Sequence, residues 1–206
     1  MCIRDRPEDI IKIKNEFIQF ARSLCPCFII DDNNRSVVAD LFNYFTNRPG
    51  HLNNKKGIWL EGNLGTGKST LLRIFSKYLI RERKGFLLHS CTHICTSFSE
   101  GASLDSYTYG KNNYPNGAIN MGFDELGREP VPVYRYKTQI NVMQHILHVR
   151  YSLWQEFGIK TFITTNLDAN GVENLYGDFI RDRRQEMFNI IPLLSLIHIS
   201  EPTRPY

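Results

Sequence analysis

The sequence predicts an α/β fold in three layers: five parallel strands in one sheet, helices on both faces, and a helical lead-in ahead of the first strand. Three observations carry this expectation. Strand-like and helix-like stretches alternate from residue 57 onward, a pattern that closes as a parallel sheet covered on both sides. A glycine-rich loop joins the first of those strands to the helix after it. An acidic pair follows a later strand.

The elements follow in chain order. From Pro7 the spacing predicts a helix, with proline in its first turn and Ile10, Ile13, Phe17, Phe20 and Leu24 along one stripe. A short apolar segment at 27–30 precedes the turn-like Asp31-Asp32-Asn33-Asn34. A second helix follows, with Val37, Val38, Leu41, Phe42 and Phe45 apolar. Residues 47–56 are polar, contain Pro49-Gly50 and read as a loop. Strands are then expected at 57–61, 86–89, 118–123 and 161–165, with a final strand beyond. Helices are expected from 68 to about 83, from about 92, and over 138–157. In the last of these Ile140, Met143, Leu147, Tyr151 and Trp154 fall at helical spacing and read as core. The segment 107–117, rich in Tyr, Asn and Gly, reads as a surface loop.

The two ends read as foreign to the fold. Met1-Cys2-Ile3-Arg4-Asp5-Arg6 and Leu194-Ser195-Leu196-Ile197-His198-Ile199 can be back-translated into DNA strings that are reverse complements over their shared length. Those strings resemble the mosaic end of transposase-based sequencing adapters. The expected organisation is therefore adapter-derived peptide at 1–6 and 194–206, a helical lead-in at 7–50, and a core at 51–193 that is cut at its C-terminal side.

Composition bounds the function classes loosely. The 206-residue chain suits one domain, with 42% hydrophobic and 22% charged residues and a formal net charge of +4. No run approaches the length of a membrane helix, and the expectation is a cytoplasmic protein. The basic excess is too mild to demand a nucleic-acid partner. Cys25, Cys27, Cys91 and Cys95 fit a reducing compartment. His89 and His93 interleave with the second pair, yet Cys25-Pro26-Cys27 is an uncommon ligand spacing, and reduced, partly buried thiols are the better reading than zinc.

The strongest local signal is Gly62-Asn63-Leu64-Gly65-Thr66-Gly67-Lys68-Ser69-Thr70, which fits the phosphate-binding pattern G-x-x-x-x-G-K-[ST]. Glycines let backbone N–H groups converge on phosphate oxygens, and the helix that follows turns its positive end to the same anion. Lys68 is placed to reach the β- and γ-phosphates of ATP, and the Ser69 hydroxyl to ligate Mg2+. Behind the strand at 118–123 stand Asp124 and Glu125. The first is expected at the Mg2+ ion and the second as the base that orients and deprotonates water. Asn120 and Gly122 interrupt the apolar run ahead of them. Asn166, after the strand at 161–165, is expected to hydrogen-bond that water and sense the γ-phosphate. Thr165 could serve instead, or Asn166 could cap the next helix. A small-molecule kinase is disfavoured, since nothing resembles an acceptor pocket or lid.

These residues resemble the AAA+ (ASCE) division of P-loop NTPases, and within it the helicase loaders of the DnaC type and their IstB-like transposition relatives. The resemblance spans about 28–193. It rests on the phosphate loop, on Phe123-Asp124-Glu125-Leu126-Gly127-Arg128-Glu129, on Arg150-Tyr151, on Ile163-Thr164-Thr165-Asn166-Leu167, and on Leu175-Tyr176-Gly177-Asp178 with Asp182-Arg183. It implies an αβα fold, Mg2+-dependent ATP hydrolysis, and self-association through a shared ATP site. It also implies single-stranded DNA and a replicative helicase as partners. Arg183 matches the family's arginine finger, which completes a neighbour's site, with Arg181 and Arg184 as close competitors. Phe179 stands where the family often has an arginine. A transposition helper or nucleotide switch with slow hydrolysis is the alternative function.

Overall fold

The computed structural model describes residues 7–32, 34–82, 85–111, 117–135 and 137–193. The peptides read as adapter-derived, 1–6 and 194–206, lie outside the described residues, as do 112–116 of the Tyr/Asn/Gly-rich loop. The elements are α1 (Pro7–Leu24), α2 (Arg35–Phe45), β1 (Gly57–Glu61), α3 (Lys68–Arg81), β2 (Leu87–Ser90), α4 (Cys91–Ser99), β3 (Met121–Leu126), β4 (Val133–Arg135), β5 (Thr138–Ile140), α5 (Val142–Phe157), β6 (Thr161–Thr165), α6 (Ala169–Tyr176), α7 (Asp178–Met187) and β7 (Phe188–Pro192).

Five strands form one parallel sheet in the order β2-β3-β6-β1-β7. Because all run the same way, their C-terminal ends collect along one edge, where ligands of open α/β sheets bind. The central strands are buried on both faces, as parallel pairing requires. Alternate residues of β1 divide between two cores. Ile58 and Leu60 join α1, α2, α3 and Phe162 on one side. Trp59 joins α4, α5, α6, α7 and Ile163 on the other. The lead-in helices thus share their core with the strand and helix that flank the phosphate loop. Phe17 stacks on Phe75 with ring centroids 4.8 Å apart, which ties α1 to α3.

Three local readings change. The acidic pair lies within β3 rather than behind it, since the strand runs from Met121 to Leu126. Asn120 precedes that strand, and its side chain accepts from the N–H of Lys160 at 2.8 Å. Gly122 has a packing reason: a Cβ there would stand 2.7 Å from Leu88 and 3.0 Å from Phe86, so the gap admits those side chains. Residues 138–140 are not the first turn of the long helix. They pair antiparallel with β4, and the helix begins after Asn141, whose side chain caps the N–H of Gln144 at 3.1 Å.

Arg150 of α5 is fully buried. Its guanidinium donates to Thr161 Oγ1 (3.0 Å), the Ile119 carbonyl (2.9 Å) and the Lys160 carbonyl (2.8 Å), so it pins the start of β6 to the chain entering β3. Truncation leaves those acceptors in a dry interior, at about 1–3 kcal/mol for each orphaned group. Arg150→Leu is therefore expected to lower stability by roughly 3 kcal/mol or more, read as a fall in the urea midpoint at unchanged slope. An unchanged midpoint would contradict this role.

Candidate functional site

The cleft lies at the C-terminal edge of the sheet. Residues 64–70 line one side, and Glu125, Thr164, Thr165 and Asn166 line the other, around a volume of about 200 Å³. Gly67 caps α3 with φ 80°, a left-handed conformation that glycine adopts without strain. That turn aims the first N–H groups of a 14-residue helix into the cleft, where they carry the positive end of its dipole.

Lys68 is buried, with 6% of its surface exposed. Its Nζ donates to the carbonyls of Gly62 and Asn63, both at 2.7 Å, and to Thr66 Oγ1 at 3.1 Å. Burial pulls its pKa below the usual lysine value, and the nearby charges of Asp124 and Glu125 act in the opposite direction.

Thr164 organises the acidic pair. Its hydroxyl donates to Asp124 Oδ1 at 2.6 Å and accepts from the N–H of Glu125 at 2.9 Å. The β3–β6 ladder shifts register between Phe123 and Leu126, and Glu125 sits at φ 61° in that bulge. A non-glycine residue there is uncommon, and such outliers cluster at working sites. The turn swings Glu125 towards the cleft while Asp124 stays buried. Two arginines attend the pair. Arg128 Nη1 lies 2.8 Å from Glu125 Oε1, and the largely exposed Arg73 lies 3.7 Å from Asp124 Oδ2.

The cap of α6 is Asp168, whose carboxylate accepts from Gly171 N at 2.7 Å. The Thr165 hydroxyl is committed to backbone, donating to the Leu126 carbonyl (2.7 Å) and accepting from Leu167 N (3.0 Å). Asn166 is exposed at the cleft wall.

The arginines of α7 separate by environment. Arg184 is buried, pairs with Glu61 at 2.7 Å and lies 5.3 Å over the Trp59 ring. Arg181 pairs with Glu173 of α6 and with Asp182. Arg183 keeps about 38% of its side chain exposed. Its guanidinium rests over the rings of Tyr151 (4.8 Å) and Phe179 (5.1 Å) and bonds Glu186 at 2.7 Å. Glu186 also accepts from the Tyr151 hydroxyl at 2.7 Å, the first cause holding its pKa below the usual carboxylate value. Arg183 does not line the cleft of its own chain.

Cys91 and Cys95 lie on the buried face of α4, and burial pushes the Cys95 thiol up to about 12. Among the described residues no group of three or more His, Cys, Asp or Glu could hold a metal ion, and no helix is long and apolar enough to cross a membrane.

No protein-family model matches the chain, and a search of curated proteins finds no match. Solved structures do match. DnaI is 21% identical with a TM-score of 0.56, over 85% of this chain and 93% of that one. The DnaC helicase loader is 15% identical with a TM-score of 0.53, over 80% and 92%. The replication initiator DnaA bound to AMPPCP and single-stranded DNA is 14% identical with a TM-score of 0.55, over 81% and 48%. At these identities the likeness is one of fold: the chain shares the three-layer αβα P-loop fold of these structures. The chain spans about half the length of that DnaA, 48%, and nearly all of the DnaC and DnaI chains.

Within this αβα fold, residues 64–70, Glu125 and Asn166 meet at one cleft, and Asp124 is held beside it through Thr164. Sequence reasoning missed Thr164. A pair of hydroxyl residues at the end of a fully buried strand was the available signal, since a buried hydroxyl needs partners. It also missed Glu129, which is buried and accepts from the Tyr176 hydroxyl and from Gly127 N (2.8 Å), tying the loop after the acids to the end of α6.

Proposed function

We propose that this chain binds Mg2+–ATP in the cleft and hydrolyses it to ADP and phosphate, as a DnaC-like helicase loader acting in DNA replication in the cytoplasm. The observation that carries the reading is the convergence of a helix N-terminus and Lys68 with Glu125 and Asn166 on one cleft. Loop amides from 62–70 and Lys68 hold the phosphates, Lys68 exchanging loop carbonyls for β- and γ-oxygens. The hydroxyl of Ser69 and the carboxylate of Asp124 are hard oxygen donors of the kind Mg2+ takes, and they are the residues that would hold it. The ion supplies charge neutralisation on the phosphates. Glu125 takes a proton from the attacking water, which Asn166 helps to orient.

Arg183 is assigned as the finger supplied to a neighbouring subunit. The support is the match to the family's arginine motif: Arg184 is buried against Glu61, while Arg183 and Arg181 are equally exposed and each ion-paired, Arg183 with Glu186 and Arg181 with Glu173 and Asp182. Single-stranded DNA and a replicative helicase are the proposed partners, by likeness to the DnaA and DnaC structures. The second reading, an IstB-like helper or switch with slow hydrolysis, is favoured by the Arg128–Glu125 contact, which occupies an oxygen of the assigned base.

Glu125→Gln separates binding from chemistry. Affinity for Mg2+–ATP is expected to persist while turnover falls about a hundredfold or more, the scale of losing a general base. Turnover at the parent rate would place the base elsewhere.

Arg183→Ala mixed with Lys68→Ala tests the shared site. Arg183→Ala alone is expected to lower turnover with little loss of ATP affinity and Lys68→Ala alone to lose ATP binding, and mixed assemblies are expected to recover turnover, since each supplies what the other lacks. Co-assembly without recovery would remove Arg183 from the interface.

A further inference from the structure

Cys25 and Cys27 flank Pro26 in the turn that ends α1, and their Sγ atoms lie 3.0 Å apart, hydrogen-bonded one to the other. The turn is built to keep them there. Cys25 N donates to the Ala21 carbonyl, the last turn of α1, and Phe28 N donates to the Cys25 carbonyl, each at 2.9 Å. Pro26 fixes φ between the two thiols, and the buried Phe28 anchors the exit. Cys27 is exposed, and Cys25 is half-buried against the core shared by α1 and α3. Nothing in the proposed ATP chemistry uses either residue.

We propose that Cys25 and Cys27 form a redox-active dithiol, which low-molecular-weight disulfides oxidise to an intrachain disulfide. In the first step the Cys27 thiolate attacks one sulfur of the oxidant. The oxidant's S–S bond breaks, a mixed disulfide forms on Cys27, and a small thiolate leaves and takes up the proton Cys27 released. In the second step Cys25 loses its proton and its thiolate attacks the Cys27 sulfur, expelling the second small thiolate, which is protonated in turn. The two protein thiols give up two electrons and two protons, and the oxidant becomes two thiols.

The order of attack follows from the site. The hydrogen bond with Cys27, and after it burial, raise the Cys25 pKa, so Cys25 keeps its proton and the exposed Cys27 is left to attack. Cys91 and Cys95 provide the internal contrast. Both are buried with raised pKa values, so their thiols are shielded and largely protonated.

The test uses the full chain in glutathione buffers with a rising ratio of disulfide to thiol, quenched with acid, alkylated and digested with trypsin. The peptide 23–35 contains Cys25 and Cys27 and no other cysteine. Its expected product is the peptide lighter by two hydrogens and resistant to alkylation, while Cys91 and Cys95 are alkylated only after denaturation. Cys25→Ser is expected to trap a lasting glutathione adduct on Cys27. Cys27→Ser should slow adduct formation about tenfold or more, because the remaining Cys25 thiol is half-buried and less accessible to the oxidant. Separate adducts on both cysteines of the parent chain would overturn the proposal. So would a peptide 23–35 that stays reduced at ratios that modify Cys25→Ser.

Discussion

Strand β6 lies between the strand that delivers the phosphate loop and the strand that delivers the acids, and the cleft depends on that insertion. Its ladder to β1 sets Leu60 beside Thr164 and Glu61 beside Thr165. Its ladder to β3 carries the bulge that holds Glu125 in a left-handed conformation. From the same short segment Thr164 bonds both members of the acidic pair, and Asn166 reaches the cleft wall. A ladder is stiff because each strand is held on both sides. The positions of Lys68, Asp124 and Glu125 relative to one another are therefore fixed by backbone pairing rather than by long side chains.

The same frame reaches the helices on the far side of the sheet. Glu61 is the last residue of β1 and directly precedes the phosphate loop. Its carboxylate pairs with the buried Arg184 of α7, one residue from Arg183. Breaking such a buried pair typically costs about 3–5 kcal/mol, since the remaining charge is left unpaired. The Tyr176–Glu129 bond makes a second tie, from the loop after the acids to the end of α6. The phosphate loop is thereby tied to α7, which carries Arg183, and the loop after the acids to α6. The energetic logic is mechanical: packed, hydrogen-bonded elements move together or not at all.

Much of this architecture was legible in the sequence because it rests on local signals. The alternation of strands and helices and the glycine-rich loop each report their structure within a few residues. The five-stranded parallel sheet and the αβα layering were expected and are present. Tertiary context hid the remainder. Thr138 to Ile140 extend the helical pattern of α5 only in sequence; Asn141 caps the helix, and β4 recruits the preceding residues. Gly122 interrupts the apolar run in sequence, and the Leu88 and Phe86 side chains fill the space above it. The environments of Arg181, Arg183 and Arg184 differ because helical rotation points each at a different neighbour, and the partners are distant in sequence. Thr164 escaped notice because its importance lies in its hydrogen bonds to β3, forty residues earlier.

The central claim is that the cleft binds a triphosphate through Lys68 and the start of α3. Equilibrium titration with Mg2+–AMPPCP, comparing the parent chain with Lys68→Ala at matched folding, tests it most directly. Charge-assisted hydrogen bonds to two phosphate groups are worth about 1.5–3 kcal/mol each, so the variant should bind at least about a hundredfold more weakly. Saturable binding by the parent with that loss in the variant is the predicted result. Equal affinity in the two proteins would contradict the account.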